Sequence, residues 1–396
     1  MIYLDNAATT PMKKEAYEKM LPYLTEYYGN PSGIYELSNI SSAAMEESRE
    51  QIALLIGAKP NEIYFTSGGT ESDNWALIGT AQMQKDKGNH IITTKIEHHA
   101  ILNTCRYLEE KGIKITYLDV DEYGMVSLDK LRRAITPETI LISIMTANNE
   151  IGTIQPIEEI GFLAKQREIL FHTDAVQACG HIHIDVKKSN VHMLSASGHK
   201  FGGPKGIGFL YIAKEIDLPP FMHGGGQERK KRAGTGNVPS VVAMGEAARV
   251  CREHMNEENT YITRLKEYAI QRIIREIPYT RLNGHRWKRL PGNLNFSFQF
   301  VDGEAVQVLL DMKGICVSTG SACSTGQTEP SHVLRAIGLA DELAHGTVRL
   351  TLSERTTKAE LDKVINELKD IVFKQREMST EYKEMINPYR KFMRRR

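Results

Sequence analysis

Between about residues 62 and 212, short apolar runs rich in β-branched residues alternate with stretches whose apolar positions recur every three or four residues. The first kind predicts strands at 63–65, 90–94, 113–118, 140–145, 169–173, 193–195 and 208–212. The second predicts helices at 72–85, 101–111, 128–135 and 157–167, lying between several of those strands. Such alternation indicates an α/β protein whose mostly parallel, seven-stranded sheet is covered by helices. From about Val241 a helical pattern runs toward Glu276. It is followed by strand patterns at 293–298, 315–317 and 347–352 and a helical one at 358–374, which together read as a smaller α+β domain. The expected organisation is an N-terminal segment (1–15) packing with the small domain, a large domain (16–260), and a small domain (261–396).

In parallel sheets, ligands bind at the carboxyl ends of strands, and that is where the polar residues of interest cluster. Ser67-Gly-Gly-Thr70 follows the first predicted strand, Glu97-His-His99 the second, Asn148-Asn-Glu150 the fourth, Asp174 the fifth and Lys200 the sixth. Lys200 sits in Ser195-Ala-Ser-Gly-His-Lys200, just before the glycine-rich Phe201-Gly-Gly-Pro-Lys-Gly206. A lysine becomes a nucleophile when its surroundings lower its pKa, and pyridoxal phosphate is the common cofactor that needs one. The glycines at 68 and 69 allow close backbone approach before a helix N-terminus, which attracts phosphate; Thr70 with Asp73 is alternatively a capping box. Asp174 is either a helix cap or the partner of a pyridine nitrogen, with Gln177 one turn on. His98 can stack on an aromatic ring and exchange protons near neutrality. Arg349, charged within a strand-like run, calls for a carboxylate partner, internal or from a substrate. Asn149 is either a turn asparagine or a hydrogen-bond donor to a ligand.

Composition narrows the classes. Hydrophobic residues at 41% and charged residues at 25% are ordinary for a globular protein. Fifty basic against 49 acidic side chains leave a net charge of +1, so no global field favours direct nucleic-acid or membrane partners. No apolar run approaches a membrane span, Met1-Ile-Tyr-Leu-Asp5 lacks a signal-peptide layout, and a cytoplasmic location is expected. Five cysteines with no CxxC argue against a disulfide framework or closed zinc site. Cys105, Cys179, Cys251 and Cys316 read as small buried apolar residues. Cys323 differs: its neighbours in 318–327 are small or polar, which predicts an exposed loop and an accessible thiol.

Taken together these residues resemble the cysteine desulfurases, pyridoxal-phosphate enzymes of the class V aminotransferase group. The likeness covers nearly the whole chain, through Tyr3-Leu-Asp-Asn-Ala-Ala-Thr-Thr-Pro11, Gly29-Asn-Pro-Ser32, Phe65-Thr-Ser-Gly-Gly-Thr-Glu-Ser-Asp-Asn74, Asn148-Asn-Glu-Ile-Gly152, Asp174-Ala-Val-Gln177, Ser197-Gly-His-Lys200, Met222-His-Gly-Gly-Gly226, Gly234-Thr235 and Gly320-Ser-Ala-Cys323. The resemblance implies the fold type I architecture, with Lys200 as the covalent anchor of the cofactor. It implies Gly69, Thr70, Ser197 and His199 as phosphate ligands, and Thr235 reaching the phosphate of a partner subunit in a homodimer. Asp174 would face the ring nitrogen, Gln177 the ring hydroxyl and His98 the ring face, with Asn149 and Arg349 at the substrate carboxylate. The implied reaction turns L-cysteine into L-alanine and leaves a persulfide on Cys323. The loop after Cys323 resembles the longer-loop branch, which hands sulfur directly to an acceptor.

The C-terminal run Tyr382 to Arg396 does not resemble the tail by which housekeeping members dock an iron–sulfur scaffold. Five of its last seven residues are basic; that tail and Arg229-Lys-Lys-Arg232 both read as solvated, with docking of an acidic carrier or a tRNA-thiolation enzyme as the sharper alternative. No firm metal site is expected, although Cys323 is a possible shared Fe–S ligand with a partner. The competing functions are selenocysteine lyase or cysteine-sulfinate desulfinase, and a non-catalytic scaffold.

Overall fold

The computed structural model describes residues 1–319 and 330–387; Cys323, its loop, and Arg390 to Arg396 lie outside the described residues. Twelve strands occur among those described: Ile2–Tyr3 (β1), Ile63–Thr66 (β2), His90–Thr94 (β3), Lys114–Leu118 (β4), Thr139–Ser143 (β5), Leu170–Asp174 (β6), Met193–Ser197 (β7), Gly208–Ile212 (β8), Thr280–Leu282 (β9), Asn293–Phe298 (β10), Ile315–Cys316 (β11) and Thr347–Thr351 (β12). Strands β2 to β8 form one seven-stranded sheet in the order β2-β8-β7-β6-β5-β3-β4. Four of its pairings are parallel, and only β8 runs against its neighbours. The mostly parallel sheet expected from the alternation is therefore present.

Successive residues of each strand enter cores on opposite faces, as a period of two demands. Ile92, Ile142, Phe171, Leu194 and Phe209 join one core, packed with the helices Glu36–Ile56 and Val238–Glu276. Ile91, Leu141, Met193 and Leu210 join the other, beneath the helix Gly69–Met83. Burial on both faces explains why these strands read as near-continuous apolar runs.

β9, β10 and β12 form an antiparallel sheet, and the parallel pair β1·β11 ties the N-terminus to this region. The helix Val238–Glu276 belongs to both regions. Its first half, through Met255, enters the core of the large sheet, while Ile262 to Ile273 pack with Phe296, Phe298 and Val364 in a second core. Three of the cysteines expected to be buried are so, but Cys316 on β11 is only partly covered, because a two-residue strand at a sheet edge leaves one side open.

Candidate active site

The carboxyl ends of β2, β3, β5, β6 and β7 meet at one rim, around a cleft of about 560 Å³. Of the residues expected there, Gly69, Thr70, His98, Asn149, Asp174, Gln177, Ser197, His199, Lys200 and Arg349 all line this cleft. Thr235 does not; it lines a neighbouring groove with Pro31, Ser67 and Gly206.

Each position follows from local chemistry. The helix Gly69–Met83 starts at Gly68 with no side-chain cap, so its first-turn amides face the cleft without an intrahelical acceptor. The alternative capping box at Thr70 and Asp73 does not form. Asp73 is buried instead, its Oδ1 3.7 Å from His172 Nε2 and without a hydrogen-bond donor. A Cβ on Gly69 would fall 2.5 Å from Val176 Cγ2, so only glycine lets the helix start this close to the segment after β6. Lys200 ends a single 3₁₀ turn after β7, and its Nζ donates to the carbonyls of Ala7 and Ala8 at 2.6 and 2.9 Å. Gln177 donates to the same Ala7 carbonyl at 2.9 Å. His199 Nδ1 lies 3.1 Å from Thr9 Oγ1. The N-terminal segment thus forms one wall of the cleft.

Burial sets the electrostatics. Asp174 Oδ1 accepts the Val176 amide at 2.9 Å. Burial lifts its carboxyl to about 6, against the lowering effects of that amide and of Lys200. Burial raises Asp73 as well, with Asp174 adding to the effect. Glu97 rises to about 8, chiefly from burial, despite hydrogen bonds from Thr94 and Met145. His98 accepts the Ala100 amide on Nδ1 at 3.1 Å, capping the helix His99–Glu109 while lining the cleft. Burial, then the charges of Lys200 and His99, lower it to about 4; it is neutral across the physiological range. Burial and the same lysine bring His199 to about 4.

Arg349 has its carboxylate inside the protein: Nη2 donates to Asp5 Oδ1 at 2.8 Å and Nη1 to the Asn149 carbonyl at 3.0 Å. Its Nε is buried without a partner. Sequence reasoning missed several neighbours, among them the carbonyls of Ala7 and Ala8, Glu71, Lys205 and the buried set Asp73, His172 and Ser195. The small residues of Asn6-Ala-Ala-Thr9 were the available signal for the first two. The run 229–232 is only partly the solvated loop expected: Arg229 and Lys230 are exposed, although Arg229 donates to the Ile63 carbonyl, while the half-buried Lys231 donates to Asp217 and Leu218 and Arg232 to Glu71. Those partners come from β2, from the segment after β8 and from the first turn of the helix Gly69–Met83.

Residues 2–364 match the aminotransferase class-V family model. The chain is 54% identical over 378 residues to a cysteine desulfurase IscS of Methanosarcina thermophila, covering 96% of this chain and 93% of that protein. Among solved structures, a NifS-like protein superposes with a TM-score of 0.89 at 38% identity, over 94% of this chain and 99% of that one. SspA in complex with cysteine follows at 0.80 and 38%, over 90% and 100%.

Pyridoxal phosphate, the cofactor of this family, requires an anion cradle, an amine and an acid for its ring nitrogen. The uncapped amides beside Gly69, the Lys200 amine, and the Asp174 carboxyl with one oxygen held by Val176 fit those three needs in one cleft. The chain belongs to the class-V aminotransferase family, within its cysteine desulfurase group.

Proposed function

We propose that this protein removes sulfur from L-cysteine, releasing L-alanine and holding the sulfur as a persulfide on Cys323. The observation that supports it is the convergence of Lys200, Asp174, His98 and the Gly69–Thr70 amides around one cleft. In this reading Gly69, Thr70, Ser197 and His199 would hold the phosphate, and Asp174 would keep a proton on the ring nitrogen. Gln177 would contact the ring hydroxyl, and the neutral His98 would cover the ring face and shield it from water. Bound pyridoxal phosphate supplies an electron sink for the charge left at the substrate's Cα on deprotonation. Lys200 Nζ, which lines the same cleft, would be the group to carry that proton. Asn149 would orient the substrate carboxylate together with Arg349, whose guanidinium Asp5 and the Asn149 carbonyl already hold in place.

Cys323 Sγ, as thiolate, attacks the substrate sulfur. An S–S bond forms and the substrate C–S bond breaks with its electron pair left on carbon; Cβ then takes up one proton and Cα regains the one it lost, completing alanine. No external oxidant is needed, since the sulfur is transferred as a neutral atom while carbon is reduced. The loop that carries Cys323 is the carrier to an acceptor, either an iron–sulfur scaffold or a tRNA-thiolation enzyme. Among the described residues no helix is long and apolar enough to cross a membrane; the reading places the enzyme in the cytoplasm. Because Thr235 lines a groove outside its own chain's cleft, it is assigned to a partner subunit's phosphate in a homodimer. The exposed Ile34 and Tyr35, near that groove's Pro31–Ser32 edge, are apolar surface that a second copy would cover.

The test is product analysis. With L-cysteine and a reductant, alanine and sulfide are expected in equal amounts. Cys323→Ala is expected to keep the holoenzyme's cofactor absorbance and lose the persulfide. A variant that still forms persulfide would move the acceptor role to another thiol.

A further inference from the structure

Glu71 places a negative charge beside the phosphate cradle. It lies in the first turn of the helix Gly69–Met83, and it lines the same cleft as Gly69 and Thr70. A phosphate on the uncapped amides would meet this carboxylate in a largely buried setting, where like charges repel strongly. The conflict is relieved by Arg232, whose Nε and Nη2 donate to Glu71 Oε1 and Oε2 at 2.9 and 3.0 Å. Oε2 also accepts the Ser67 amide at 2.8 Å. Burial works to raise the Glu71 pKa, but the bonds from Arg232 and Ser67 prevail and hold it below the ordinary carboxylate range. A charge is thus present at Glu71, and it is paired.

The loop that delivers Arg232 is firmly anchored. Glu228, Arg229 and Lys230 have φ values of 44°, 56° and 66°, three consecutive non-glycine residues in the left-handed region that side chains resist. Such strain persists where the surroundings over-determine it, often where geometry is used. Here Glu228 accepts two bonds from Arg49, at 2.9 and 3.0 Å, and one from the Phe65 amide at 2.9 Å. The guanidinium of Arg229 lies 4.1 Å from the centre of the Tyr64 ring. These contacts pin the strained turn to the edge strand β2, whose end opens into Ser67-Gly-Gly-Thr70. Arg232 therefore arrives at Glu71 on a stiff support, with Thr235 three residues beyond.

We propose that Arg232 is a positioning residue for the cofactor's phosphate: it neutralises Glu71 and holds it on the Ser67 amide, leaving the first-turn amides of the helix Gly69–Met83 to the anion. The inference rests on the reading of Gly69 and Thr70 as the phosphate cradle. It predicts an interaction of definite sign between Arg232 and Glu71, which a purely packing role for Arg232 would not produce.

The experiment compares the binding of pyridoxal phosphate and of pyridoxal to the apoprotein, followed by absorbance. Wild-type protein is expected to prefer the phosphorylated form; equal affinities would overturn the cradle reading itself. Given that preference, Arg232→Gln is expected to weaken pyridoxal phosphate about tenfold and pyridoxal little, since only the former meets the unmasked carboxylate. The double variant Arg232→Gln, Glu71→Gln is expected to regain most of the loss. Unchanged binding by Arg232→Gln, or a double variant as weak as the single, would overturn the proposal. Should Arg232→Gln fail to fold, Arg232→Lys keeps the charge without the two-pronged fork. It is expected to stay within about threefold of wild type, and a tenfold loss there would assign Arg232 to packing.

Discussion

Glu97 shows how burial can dominate the behaviour of a residue. Its carboxyl accepts from Thr94 Oγ1 at 2.6 Å and from the Met145 amide at 3.1 Å, and both donors are neutral. Burial moves it from an ordinary 4.5 to about 8. Over that interval the folded protein holds a proton that the unfolded chain has released. Glu97's contribution to stability is therefore full below about 4.5 and is lost as pH rises through about 8. Glu97→Gln mimics the protonated acid at every pH. Denaturant unfolding from pH 6 to 9 should show the variant gaining on wild type by at least about 1 kcal/mol. A constant difference would mean that Glu97 is ionised in the native state. None of this was legible in Glu97-His98-His99, which reads as a polar strand end. The raised pKa comes from burial, with the charge of the distant Asp174 adding to it. Lys200, by contrast, was legible, because its strand and glycine-rich flank are local features.

At the scale of elements, ten strands were read nearly to their limits, since burial leaves a continuous apolar run with β-branched residues, while the short Ile2–Tyr3 and Thr280–Leu282 were not read. The helix Gly69–Met83 was not read to its start, expected at 72. Its first turn carries no capping side chain, because Asp73 turns inward toward His172 and Glu71 turns to Arg232. Glycine shows a second limit of element-level reasoning. Gly161 interrupts the helix Ile157–Gln166, and replacing it with alanine improves helix propensity by about 1 kcal/mol. Yet a Cβ there would fall 1.8 Å from the Ser189 carbonyl oxygen, a backbone atom that cannot swing aside. The clash outweighs the propensity gain. Gly161→Ala is expected to lower unfolding stability by about 2 kcal/mol; a stabilised variant would show that the helix and the 189 segment can separate freely.

For the whole molecule, the helix Val238–Glu276 joins the two cores, so the cleft is framed by regions that share one rigid element. Asp5 and Asn149 then hold Arg349 of β12 against the rim of the large sheet. The proposed dimer has its own test, based on complementation. A purified heterodimer of one Thr235→Ala chain and one Lys200→Ala chain carries one intact site only if Thr235 serves the partner's cleft. One site of wild-type cofactor affinity per heterodimer is expected, with none in either homodimer. A heterodimer without such a site would place Thr235 in its own cleft.

The residue pattern by itself determined the class of fold and the rim at which chemistry collects. Strand periodicity is local, and parallel strands carry their carboxyl ends, with Ser67–Thr70, His98, Asp174 and Lys200, to the same side. Only the tertiary structure decided the pairings: Arg349 with Asp5, Arg232 with Glu71, and the Ala7 and Ala8 carbonyls over Lys200. Each joins segments far apart in the chain, and most involve a charge whose state depends on what covers it. Long-range register and burial are properties of the packed molecule, and no local pattern encodes them.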